Sequence, residues 1–232
     1  MTIFTQAFDL ITSGDADLWS IVGLSLRVSL SATMIASLFA VPLGAALAVW
    51  NFPLKPLVVS FATSMMALPP VVVGLAVYLL LSRSGPLGEW GLLFTPQAMV
   101  IAQTILIFPI VLALTREAIL PLDREYARLF SAYDLSPSLR IRTLVWDARF
   151  AVITALLAGF GRALAEVGAV VIVGGNINGL TRVMTTTIAL ETSKGNLELA
   201  LALGLILILI ALIINALVHF IGSFNRKYQR TR

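Results

Sequence analysis

The sequence predicts an all-α membrane protein of five spanning helices, with the N-terminus outside and the C-terminus inside. Three observations carry this. Among its 232 residues, 59% are hydrophobic and 12% charged, whereas soluble domains carry about 25% charged residues; the mean hydropathy is +0.96. Uncharged runs cover residues 28–54, 56–82, 90–115 and 199–218, and a fifth apolar stretch, 150–175, is interrupted only by Arg162 and Glu166. Each matches the roughly 20 residues that a spanning helix needs. The charges are placed asymmetrically: six arginines fall in 116–149 and four basic residues in the tail 225–232, while Asp9, Asp15 and Asp17 precede the first span. Lys and Arg in short connections mark the cytoplasmic side, and five spans then put the two ends on opposite sides.

The first span starts near residues 18–21 and ends at Trp50. Arg27, near its outer end, reads as snorkelling toward the headgroups. The second span contains Pro69 and Pro70, which lack backbone donors and bend or break the helix there. That bend is either a packing kink or a feature that shapes a pathway, and any freed carbonyls need partners from neighbouring helices or water. The turn-rich stretch 82–91 links it to a third span over about 97–115, with Pro109 near its inner end. The following segment, about 117–147, alternates charged and apolar residues at helical spacing, as at Tyr126, Leu129, Phe130 and Tyr133. It reads as a short amphipathic helix closed by Ser136 and Pro137, then a second helix. Such an elbow is either a solvated face or a docking surface.

No linker or composition shift marks a second domain, so one domain with a core of about 18–224 is expected. The acidic start lacks a basic region ahead of a short apolar core and does not read as a cleavable signal. There is no cysteine, which excludes disulfides and thiolate metal sites, and His219 is the single histidine. No metal, cofactor or nucleic-acid partner is expected. No GxxxxGK[ST] phosphate loop occurs, so any ATP-driven step belongs to a separate chain.

A charge at the bilayer centre costs at least about 2.5–3.5 kcal/mol, so Arg162 and Glu166 need an explanation. At i and i+4 they share one face of a continuous helix. Paired, and facing a bundle interior or a water-lined cavity, they are tolerated. They form either a structural ion pair or part of a translocation gate. Beyond them, Gly174, Gly175 and Gly179 allow turns, and Asn176, Asn178, Thr181, Thr185, Thr186 and Thr187 supply uncharged donors. Arg182 adds a guanidinium fork suited to an oxyanion. This stretch is either an ordinary polar loop or an outer contact for an anion.

The quoted stretches "MMALPPVVVGLAVYLLLSRSGPLG" and "FGRALAEVGAVVIVGGNINGLTRVMTTTIALETSKGNLELALALG" resemble the second and fourth spans of ABC-importer permeases of the type I (methionine-importer-like) fold. The similarity is to tungstate permeases, which are related to molybdate and sulfate permeases. The importer pattern EAA-x3-G-x9-I-x-LP is partly kept: counting from Glu125, Ala127 and Ile141 are retained, while Tyr126, Ser131 and the pair Thr143–Leu144 depart from it. The resemblance implies a coupling helix over residues 125–136, including Glu125, Tyr126, Ala127, Ser131, Ala132 and Ser136. It also implies a homodimer in a prokaryotic inner membrane, two ABC ATPase subunits and an extracytoplasmic oxyanion-binding protein. Two rival classes fare worse. An ion-coupled secondary transporter needs its own coupling carboxylates and finds only Glu166; an intramembrane hydrolase needs a nucleophile with its base.

Overall fold

The computed structural model describes residues 3–230, with side chains as far as Gly222. Described elements are helical: α1 (Ile3–Thr12), α2 (Ala16–Val49), α3 (Lys55–Met65), α4 (Pro70–Leu81), α5 (Pro96–Ala132), α6 (Pro137–Asp147), α7 (Arg149–Leu164), α8 (Gly168–Gly174), α9 (Met184–Lys194) and α10 (Leu197–Arg230), with one 3₁₀ turn at Gly88–Trp90. The side chains of the basic tail 225–232, on which part of the orientation rests, lie outside the described residues.

Three helices, α2, α5 and α10, are long and apolar enough to cross a membrane, and two bent pairs raise the number to as many as five. The pair α3–α4 is bent by 96° and the pair α6–α7 by 73°.

The spine of the fold is the pairing of α2 with α5. Asp15 starts α2 by accepting a hydrogen bond from the Leu18 N–H at 2.8 Å, which satisfies one of the free donors of the first turn. Ala32, Ala36, Ala40, Gly44 and Ala48 are buried on α2 at a spacing of four. A Cβ on Gly44 would stand 2.6 Å from the Leu112 carbonyl oxygen, so only glycine admits α5 this close. Small residues at such spacing let membrane helices approach backbone to backbone. Thr95 caps α5 at Ala98, and Pro96 occupies the first turn, where a missing N–H costs nothing.

Two elements differ from the sequence reading. First, no separate helix exists at 125–136: α5 runs unbroken for 37 residues through Pro109 and Pro121 to Ala132. An interior proline removes one bond and bends a helix, and the remaining bonds carry it on. At about 55 Å it far exceeds the roughly 30 Å hydrocarbon core. Second, the stretch 150–175 is not one helix. It stops at Leu164 and resumes at Gly168, so Glu166 sits in a break.

Candidate functional site

The two interrupted segments meet at their breaks. In the first, Pro69 has no donor to offer and Pro70 opens α4 as its first residue. In the second, the chain turns between α7 and α8. A Cβ on Gly168 would lie 2.8 Å from Val71 Cγ2, and one on Gly74 would lie 2.7 Å from Ala169 Cα. The start of α4 is therefore in backbone contact with the start of α8. Irregular backbone at membrane depth survives only where protein covers it or where it lines a cavity.

The second break is held by side chains from three elements. Gln103 of α5 donates its Nε2 hydrogen to the Ala163 carbonyl at 2.9 Å, serving one of the carbonyls freed at the end of α7. Thr185 donates to the Glu166 carbonyl at 2.8 Å. The Glu166 carboxylate divides its work: Oε1 accepts from the Ala169 N–H at 3.2 Å, and Oε2 accepts from Arg162 at 2.9 Å. The pair expected from spacing is formed, but not along one helix face, because Arg162 closes α7 and Glu166 lies beyond it. Glu166 is 4% exposed and Arg162 41%, so the carboxylate is interior while the guanidinium reaches the surface of this chain.

Beside the pair is a small cavity lined by Ser25, Ser29, Gln103, Glu166 and Thr185 among others. Gln103 Oε1 is buried there without a hydrogen-bond partner. Ser25 donates to the Ile21 carbonyl and accepts from the Met184 N–H, both at 2.8 Å, tying α2 to the start of α9. Gln103 and Ser25 were not singled out from the sequence. Their signal was an amide well inside an uncharged span, and hydroxyls at positions 25 and 29 on one helix face.

The stretch beyond α8 is more ordered than a polar loop. Gly175 ends α8 at φ +70° and Gly179 turns the chain at +71°, both left-handed conformations that favour glycine. Asn176 accepts from the Thr186 hydroxyl at 2.9 Å. Thr181 accepts from the Ile177 N–H at 2.9 Å and donates to the Gly174 carbonyl. Thr185, Thr186 and Thr187 belong to α9 and are buried. Asn178 is exposed and Arg182 half-buried. In α9, Lys194 donates to the Glu191 carboxylate at 2.9 Å and Asn196 donates at 3.0 Å; the Lys194 hydrogen bond, aided by Asn196, holds that carboxyl below its ordinary range.

At the other end of α2 lies the elbow. Glu125 to Ala132 form the last turns of α5, and residues 133–136 make the turn into α6. Glu125, Ser131, Ala132 and Ser136 are exposed, while Tyr126 and Ala127 are half-buried. Arg140 donates Nε to Asp123 at 2.7 Å and lies 5.2 Å over the Phe130 ring, which clasps α6 to α5. The elbow carries exposed large apolar groups at both ends of α6, with Tyr133 72% exposed at the turn before it and Trp146 68% exposed at its far end.

An all-helical membrane chain with two interrupted segments that meet at backbone distance beside a buried carboxylate, and with an ordered elbow beyond its longest helix, has the architecture of a transport component. Residues 40–227 match the family of binding-protein-dependent transport system inner membrane components. The chain belongs to that family, which places it in the inner membrane as a transport subunit. It is 41% identical over 216 residues to a tungstate uptake system permease protein, TupB, of Peptoclostridium acidaminophilum, covering 93% of this chain and 95% of the relative. It is 44% identical over 205 residues to a probable anion ABC transporter permease protein of Haloferax volcanii, with coverages of 85% and 88%. A sulfate transport system permease protein, CysW, of Escherichia coli K12 is 28% identical over 203 residues, with coverages of 81% and 69%.

Proposed function

We propose that this chain is the permease subunit of an ATP-driven importer for a tetrahedral oxyanion, with tungstate the first candidate. The observation that carries the assignment is the 41% identity, over nearly the full length of both chains, to a permease named for tungstate uptake. The meeting of two interrupted spans at Gly74 and Ala169, next to Glu166, supports it, because discontinuous helices that meet inside a bundle are where transporters place their sites.

In this reading residues 1–232 form a single permease domain with a core of about 18–224, its N-terminus outside and its C-terminus inside. Two copies pair around a central pathway, since five spans are too few to enclose one. Two ATPase subunits seat on the elbows over residues 117–147, contacting Glu125, Tyr126, Ala127, Ser131, Ala132 and Ser136 together with the exposed Tyr133. An extracytoplasmic binding protein delivers the anion. ATP hydrolysis is confined to the ATPase chains. Pro69 and Pro70 open the first break and Arg162–Glu166 guards the second. Asn176, Thr181 and Thr185 hold the shape of the outer connection, while Asn178 and Arg182 offer donors on its accessible side. Elbow movement opens the Arg162–Glu166 junction, whose guanidinium then offers charge-assisted hydrogen bonds to a passing dianion.

A second reading, a sulfate permease, rests on the 28% identity to CysW; molybdate shares the same chemistry. The test is ATP hydrolysis by the lipid-reconstituted complex of this chain with its ATPase and binding protein, titrated with tungstate, molybdate and sulfate. Stimulation at the lowest concentration by tungstate supports the first reading, and by sulfate the second. Hydrolysis indifferent to all three refutes both, and Glu166 then becomes the carboxylate to test for ion coupling.

A further inference from the structure

Two arginines stand without an ion pair near the end of α2 opposite the elbow. Arg27 and Arg182 line one cavity of about 330 Å³ together with Trp19, Ser20, Gly23 and Gly179. The ion pairs Arg116–Glu117, Arg140–Asp123, Arg162–Glu166 and Lys194–Glu191 do not reach this cavity. Arg182 Nε is buried with no hydrogen-bond partner, and a charged donor left unsatisfied is costly. Arg182 feels Glu191 electrostatically, but that carboxylate is already taken by Lys194 and Asn196. Asp15, near the start of the same helix, is engaged in capping α2 at Leu18.

Snorkelling accounts for Arg27 alone. It does not account for a second guanidinium on a different element lining the same cavity, nor for Gly23. Gly23 lies inside α2, where glycine is disfavoured, and a Cβ built on it would meet nothing within 4 Å. Packing within this chain therefore does not require glycine at position 23, and the space beside it stays open. From Trp19 to Val41, where α2 meets the elbow, is about 33 Å along the helix, comparable to the hydrocarbon thickness. The cavity and the elbow thus lie toward opposite ends of α2.

We infer that Arg27 and Arg182 form a binding site for a tetrahedral oxyanion dianion at the mouth of the permease. Two guanidinium groups suit such an anion in charge and in the number of donors they carry. Arg27 is exposed, which keeps the site weak enough to release its ligand, as conduction demands. The inference rests on the importer reading for its choice of ligand, but the site is testable without transport.

Trp19 is a reporter on the cavity wall. In the full-length chain in lipid nanodiscs, with Trp50, Trp90 and Trp146 replaced by Phe, tungstate, molybdate and sulfate would each be titrated at constant ionic strength against a chloride control. The expected result is a saturable change in Trp19 emission with a dianion and none with chloride. Arg27→Gln and Arg182→Gln should each raise the half-saturation at least about tenfold, with partial recovery in Arg27→Lys and Arg182→Lys. The lysine variants also answer the question if a glutamine variant fails to fold. A silent Trp19 with all three dianions, or glutamine variants that titrate like the parent, overturns the site. In the reconstituted complex, loss of anion uptake by the double glutamine variant with unchanged affinity for the loaded binding protein supports the site. Loss of that affinity instead assigns the arginines to acidic groups of the binding protein and overturns it. A silent Trp19 beside anion-stimulated hydrolysis sinks the cavity and leaves the importer; a responding Trp19 beside indifferent hydrolysis does the reverse.

Discussion

Replacing Glu166 separates its two structural duties. Its Oε1 caps α8 through Ala169 and its Oε2 holds Arg162. In Glu166→Gln one oxygen becomes an amide nitrogen, and whichever way the amide points, a donor faces a donor. One of the two bonds is therefore lost. A hydrogen bond to a charged group is worth about 1.5–3 kcal/mol. With Arg162 41% exposed, solvent screening brings the net loss to about 1 kcal/mol. Glu166→Ala removes both bonds and also empties a buried volume next to Gln103, for a loss of about 2–4 kcal/mol. The assay is thermal unfolding of the lipid-reconstituted chain, followed by tryptophan fluorescence, beside co-purification with the ATPase. The alanine variant should unfold well below the glutamine variant, and the glutamine variant a few degrees below the parent. A glutamine variant that assembles while hydrolysis and transport uncouple identifies a gate, and one that fails to assemble identifies a structural lock. Equal unfolding temperatures for the alanine and glutamine variants would refute the division of labour derived from the geometry.

Four further outcomes follow from the same geometry. Gly74→Val should splay α4 from α8 and cost about 1–3 kcal/mol through overpacking, because its Cβ would stand 2.7 Å from Ala169 Cα. Gly204→Ala, where nothing lies within 4 Å, should be neutral or slightly stabilising in the same melts. A double-mutant cycle of Asp123→Ala with Arg140→Ala should show a coupling of about 1 kcal/mol in unfolding, and the Asp123 variant should bind the ATPase more weakly as the elbow loosens. The depressed Glu191 carboxyl contributes stability above the ordinary carboxylate range, about pH 4, and loses it as pH falls through its lowered value in the folded chain. Glu191→Gln should melt lower than the parent at neutral pH, with the gap closing in acid; a gap of constant size from neutral to acid pH contradicts this.

The parts of the fold legible in the sequence were those set by local chemistry. The apolar run of α2 ends where the sequence places it, and the break at Pro69 and Pro70 follows from two missing donors. The end of α5 was not legible, because the change from apolar to charged residues at Arg116 marks the edge of the lipid and not the end of hydrogen bonding. The break after Leu164 was hidden for the opposite reason. Its residues, Arg162 to Val167, include good helix formers, and what interrupts them is distant in sequence: Gln103 and Thr185 take over the backbone groups that the helix would have used. The threonines of α9 looked like loop donors because their partners, Asn176 and the Val183 backbone, become visible only once the chain has turned.

The seam between α2 and α5 has a mechanical consequence. The alanines and Gly44 of α2 bring α5 to backbone distance at Leu112, which leaves little room for the two helices to slide past each other there. Over the roughly 55 Å of α5, a tilt of about 5° displaces the far end by about 5 Å. The elbow forms one end of this lever, and Gln103, anchored at the break beside Glu166, rides along its shaft. In the proposed import cycle, a modest push on α6 would reach the break beside Arg162 and Glu166 as a shift on the scale of a hydrogen bond or more.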